Sequence, residues 1–98
     1  MSIEDQLVGE IKPFIQAGKL ESLQILWEDY SENTDFGRPI AWDYVFQKIY
    51  LHAALHKQHA ICQWLDSLYA DFNEMTKIAI RQMFPYARYL LRRWVYFN

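Results

Sequence analysis

The sequence predicts an all-α fold of about six short helices in antiparallel pairs, arranged as a repeat stack or closed as a compact helical bundle. Three observations lead there. Apolar residues recur at the helical period through nearly the whole chain. The Asn-Gly and Asp-Gly pairs that mark tight hairpins are absent, and no alternating apolar run is flanked by turn residues. Of the 98 residues, 52% are hydrophobic and 22% charged, which supplies a core and excludes a disordered chain. The length suits one domain over residues 1–98.

Each element has its own signal. Ser2 caps a first helix, with Asp5 three positions on and Glu4 in the first turn. Ile3, Leu7, Val8, Ile11, Phe14 and Ile15 trace one face of it. Pro13 falls inside this run and is expected to kink or divide the helix, because proline lacks the donor that the ladder needs. Gly18 suits a left-handed C-terminal cap. A second helix over residues 20–30 carries Leu20, Leu23, Leu26, Trp27 and Tyr30. The strongest loop follows over residues 31–39, with Gly37 and Pro39.

A third helix over residues 41–56 has a broad apolar stripe from Trp42 to Ala54 and is expected to be central. A turn near Lys57 and Gln58 separates it from a fourth over residues 59–69, which turns Ile61, Cys62, Leu65, Leu68, Tyr69 and then Phe72 inward. Asn73 caps a fifth, whose expected face is Met75, Ile78, Ala79, Met83 and Phe84. Pro85 ends that helix or opens the sixth, which holds Tyr86, Tyr89, Leu90 and Trp94. Residues 95–97, Val-Tyr-Phe, have strand-like side chains but no partner strand.

Two segments repeat without gaps at an offset of 39: residues 18–27 and residues 57–66, with Leu23 on Cys62, Gln24 on Gln63 and Leu26 on Leu65. Residues 87–91 are a poorer third copy. The stretch from Ala54 to Leu65 resembles the second helix of an ankyrin-type repeat, and Leu68-Tyr69-Ala70-Asp71 is similar to the Leu-Gly-Ala-Asp that closes one. The resemblance covers about a third of the chain well. It departs in lacking Thr-Pro-Leu-His, in placing Tyr69 where glycine is usual, and in its offset of 39 against about 33. Degenerate repeats of this kind are frequent in proteins of large DNA viruses, so the resemblance implies a helical interaction module and a viral source, acting in the host cell or the virion.

Charge is unevenly spread. The net charge is −2, yet residues 1–75 carry 5 basic and 12 acidic side chains while residues 76–98 carry 5 basic side chains and no acid. Such an asymmetry marks a docking surface or a dipolar surface whose ends pair within or between protomers. One cysteine, Cys62, cannot form an internal disulfide. No apolar run reaches the ~18 residues of a membrane span. The first ten residues hold three acids and no base, unlike a targeting peptide. An intracellular, soluble protein is the expectation.

Chemistry has few footholds. His52, His56 and His59, with Cys62 beyond, have zinc-ligand character, but the turn near Lys57 separates the second histidine from the third, and structural zinc sites use two separated ligand pairs. No metal or cofactor is assigned. The serines sit in no nucleophile elbow. Cys62 lies on an apolar face, where a thiol is inert. Three glycines leave no phosphate-cradling loop. The acid pairs Glu4-Asp5 and Glu28-Asp29 read as solvated helix surface, because neighbours on a helix diverge. The chain is therefore read as non-enzymatic.

The C-terminal third is the candidate contact surface. Arg81, Arg88 and Arg92 recur close to one helical face, with Arg93 beside them and Tyr86, Tyr89 and Trp94 interleaved. Tyr, Trp and Arg are the residues enriched at protein-interface hot spots. The leading expectation is a protein partner. The alternatives are a structural minor subunit of a larger assembly, such as a viral particle, in which the acidic half of one copy meets the basic half of the next, and a nucleic-acid binder using the same basic face. The 17 aromatic residues either extend such a surface or fill a small core with large rings.

Overall fold

The computed structural model describes residues 2–32, 37 and 39–83. They form five helices: α1 (Ile3–Ala17), α2 (Leu20–Glu32), α3 (Trp42–Leu55), α4 (His59–Asp71) and α5 (Glu74–Met83). No strand occurs among the described residues, so the all-α expectation holds. The sixth helix, expected from Pro85 onward, lies outside them.

The two segments that align in the sequence each begin at a helix–helix turn. At the end of α1 the Gly18 N–H donates to the Ile15 carbonyl (3.1 Å) and the Lys19 N–H to the Phe14 carbonyl (2.9 Å). At the end of α3, 39 residues on, the Lys57 N–H donates to Ala54 (3.1 Å) and the Gln58 N–H to Ala53 (3.0 Å). Both turns are thus the same Schellman closure, with Gly18 at φ 70° and Lys57 at φ 55° in the left-handed region. Leu23 and Cys62, the aligned pair that follows, are both fully buried. Leu68-Tyr69-Ala70-Asp71 continue α4 as helix, and Lys57 is the one non-glycine residue with positive φ among those described.

α1 begins as its sequence directs: the Asp5 N–H donates to Ser2 Oγ (3.1 Å), and Ser2 Oγ–H donates to the Asp5 carboxylate (2.9 Å). Pro13 does not divide it, since one helix runs through to Ala17. The i−4 carbonyl that proline leaves without a helical donor belongs to Gly9 on an exposed stretch, where water can reach it. α5 is capped by Asn73, whose Oδ1 accepts from the Thr76 N–H (2.8 Å).

α3 is central, packing against α1, α4 and α5. Its Val45, Phe46, Ile49, Tyr50 and Ala53 are buried together with Leu7, Ile11 and Ile15 of α1, Leu23 and Trp27 of α2 and Ile61, Cys62 and Leu65 of α4. α5 departs from its expected face. Ile80 is its buried residue, while Met75 (79% exposed) and Ile78 (43%) look outward. The helix is apolar on two sides, and spacing alone selected the wrong one. No described helix is long and apolar enough to cross a membrane.

Candidate interaction surface

Of the predicted contact residues, Arg81 is described; Tyr86, Arg88, Tyr89, Arg92, Arg93 and Trp94 lie outside the described residues. Arg81 stands in the last turn of α5, where a cation is favoured by the helix dipole. Its guanidinium is 4.0 Å from one carboxylate oxygen of Glu74, and Lys77 Nζ is 3.7 Å from the other. Two cations therefore share one exposed carboxylate. Exposed pairs at these distances contribute little, so α5 starts the basic tract with positive charge in excess.

The opposite sign gathers on α2. Glu21, Glu28, Asp29 and Glu32 are all exposed, the helix holds no basic residue, and Ile25, 55% exposed, lies among them at spacings of four and three. This stripe is a solvent-facing acidic ridge with one apolar centre.

Glu4 contradicts the solvated reading of the first acid pair. It is 5% exposed, and its Oε2 accepts a hydrogen bond from the Ala41 N–H (3.1 Å) just ahead of α3. A carboxylate from α1 thus meets the positive end of α3, a favourable placement for a buried charge. Its neighbour Asp5 accepts from Tyr44 Oη (2.8 Å) as well as from Ser2. These hydrogen bonds, Tyr44 first, hold the Asp5 carboxyl below the usual carboxylate range and push the Tyr44 phenol up. Glu4 was detectable in the sequence: it stands three and four residues before Leu7 and Val8, on the face that later buries Ile11 and Ile15.

The titratable groups within the hairpins bind elements together. Tyr30 of α2 donates to Glu10 of α1 (2.9 Å), and Tyr50 of α3 donates to Asp66 of α4 (3.0 Å). Burial raises the Tyr50 phenol and, against that hydrogen bond, the Asp66 carboxyl. Burial and then the Asp66 charge push the Cys62 thiol up to about 12. A fully buried thiol so raised is a packing group, not a nucleophile.

The three histidines separate as expected. His52 of α3 and His56 at its C-cap have ring centroids 4.4 Å apart with the rings tilted by 58°, while His59 opens α4. His52 Nε2 lies 3.3 Å from Gln16 Nε2 of α1, and burial, followed by the neighbouring His56 and Lys12 charges, lowers the His52 imidazole. Among the described residues no group of three or more metal-ligating side chains comes together.

The described aromatic residues largely pack inward. Trp27 meets Trp42 (4.5 Å between centroids) and Trp64 (5.7 Å, edge-on), and Phe46 gathers Tyr50, Tyr69 and Phe72 at 5.6, 6.1 and 5.7 Å. In this part of the chain large rings fill a small core. Compared with known protein families, curated proteins and solved structures, the chain matches none.

Proposed function

We propose that this protein is a non-enzymatic interaction module that presents a preformed helical surface to a protein partner, with the basic C-terminal tract from Arg81 through Arg88 and Arg92 as the contact. The observation that carries the reading is the segregation of charge. Residues 76–98 hold five cations and no acid, and at the described start of that tract Lys77 and Arg81 share the single carboxylate of Glu74. Cations without matching acids form a surface that an acidic partner neutralises. The sequence of Ala54–Leu65, which resembles the second helix of an ankyrin-type repeat, is in keeping with this, since such modules act by presenting surface.

The acidic ridge of α2 favours a second reading. Glu21, Glu28, Asp29 and Glu32 around Ile25 could receive the basic tract of another copy, which would make the protein a self-assembling structural subunit, such as a minor component of a viral particle. Affinity capture from the native setting across a salt series separates the readings. A stoichiometric partner lost in an Arg88→Glu/Arg92→Glu variant supports the interaction module. Recovery of the chain with itself, lost equally in a Glu28→Lys/Asp29→Lys variant, supports the subunit. Salt-labile nucleic acid alone, with log affinity falling by about 0.9 per phosphate for each log unit of salt, replaces both.

A further inference from the structure

Three polar side chains from two helices meet where the end of α1 lies against the last turn of α3. His52 and the C-cap residue His56 have ring centroids 4.4 Å apart. Gln16 reaches them from α1, with its Nε2 3.3 Å from His52 Nε2. An amide nitrogen only donates, so in this contact His52 Nε2 turns its lone pair toward α1. No third histidine, cysteine or carboxylate joins the pair among the described residues. His59 opens α4 and Cys62 is fully buried, so neither belongs to this cluster.

Imidazole is the common protein ligand of divalent zinc, copper and nickel. Two donor atoms on one such ion, each about 2.0–2.2 Å from it, stand about 3.0–3.4 Å apart. The 3.3 Å between Gln16 and His52 falls in that range. Turning the Gln16 amide over puts its carbonyl oxygen where the nitrogen stands. Histidines four positions apart share one helix face, the spacing at which two imidazoles hold one zinc in His-Glu-x-x-His. We propose that His52, His56 and the Gln16 side-chain oxygen form a binding site for a divalent late transition-metal ion, with the remaining coordination positions left to water.

The backbone beneath the site is fixed. Ile15 and Ala53, the chain neighbours of Gln16 and His52, are fully buried. The His56 N–H donates to the His52 carbonyl at 3.1 Å, which keeps the one-turn spacing to the end of the helix. Gln58 Nε2, from the α3–α4 turn, donates to the Gln16 carbonyl at 3.4 Å. Gln16 and His56 are exposed, which gives an ion a path from solvent. The Lys12 charge acts on His52 and opposes any cation there. With that cation near and no carboxylate among the ligands, magnesium and calcium are disfavoured, since they bind through oxygen and chiefly through carboxylates. An ion held from both helices would clamp the end of α1 to α3. The site is separate from the C-terminal contact, so it stands or falls independently of the interaction-module reading.

Zinc chloride and copper(II) chloride, titrated into the full chain with calorimetry and imidazole NMR signals as readouts, test the site. One ion per chain is expected, with shifts at His52 and His56 rather than His59, and with magnesium chloride inert. His52→Ala and His56→Ala are each expected to weaken binding at least roughly tenfold. Gln16→Glu, which offers a charged oxygen in the same place, is expected to tighten it, as is Lys12→Gln. Where a histidine variant loses its helical circular dichroism, the imidazole signals of the unaltered chain decide. Failure of both ions to bind would overturn the site, as would binding unchanged in a folded His52→Ala/His56→Ala variant or zinc shifts confined to His59. Equal affinity in the unaltered chain, Gln16→Leu and Gln16→Glu would remove α1 from the site and overturn the clamp.

Discussion

The two described hairpins close on the same turn but staff it differently. α1–α2 gives the left-handed position to Gly18, whereas α3–α4 gives it to Lys57. Glycine takes that conformation without strain; a residue with a Cβ is strained there by about 1–2 kcal/mol. The second turn is therefore held by what it joins, Ala53 and Ile49 on one side and Ile61 and Cys62 on the other, all buried. The first is favoured locally. It is also crowded, since a Cβ on Gly18 would meet Gln58 Oε1 at 3.2 Å. One backbone shape thus arises from local preference in one hairpin and from tertiary packing in the other.

Substitutions at the aligned positions test this. The largest effect is expected at Leu23→Ala, a fully buried site in α2, at about 2–5 kcal/mol in urea unfolding. Its counterpart Cys62→Ala removes less volume and should cost nearer 1 kcal/mol. Equal losses would show that the volume removed does not set the cost at these two sites. Glu4→Gln, which weakens the charge-assisted bond to Ala41 joining α1 to α3, is expected to cost about 1–3 kcal/mol by the same measurement.

The turns should then respond with opposite sign. Gly18→Ala is expected to destabilise by about 1–2 kcal/mol, and Lys57→Gly to stabilise by up to about 1 kcal/mol after the entropy of an added glycine is set against relieved strain. If Lys57→Gly destabilises, its side chain supports the turn in some further way. Acid titration adds a smaller difference. The folded state lowers the His52 imidazole below its ordinary 6.5, so the unfolded chain takes up the proton first. The associated stability is full above pH 6.5 and falls as pH drops through the folded value. A His52→Gln variant should flatten that part of the urea-midpoint profile between pH 7.5 and pH 5. Gly9→Ala, at a helix-interior site where a Cβ would meet nothing within 4 Å, is expected to stabilise by up to about 1 kcal/mol from helix propensity.

The same contrast explains what the sequence made legible. Ser2, Gly18, Asn73 and the break near Lys57 were readable because capping and turn chemistry act over three or four residues. The alignment at an offset of 39 pointed to two turns, at Gly18 and Lys57, that close with the same hydrogen bonds. Glu4 was misread because a carboxylate in a first turn is ordinarily solvated, and the donor that buries it comes from Ala41, 37 residues away. The face of α5 was misread because Met75 and Ile78 satisfy one helical stripe and Ile80 another, and only the position of α3 decides which is covered. Of the candidate contact residues, Arg81 was placed on an exposed helix end; the interface character of the tract came from charge and residue type, which report surface chemistry and not its occupant.

The bond between Glu4 and Ala41 gives the chain one more property. It ties the first turn of α1 to the residue that follows the long connection after α2, while α1 packs along α3. Cutting that connection would sever the covalent path between the hairpins without removing the surfaces that hold them together. The two pieces, α1–α2 and α3 onward, are therefore natural halves for complementation: separately expressed fragments should find each other, and a cargo fused into the connection should leave the helical core assembled around it.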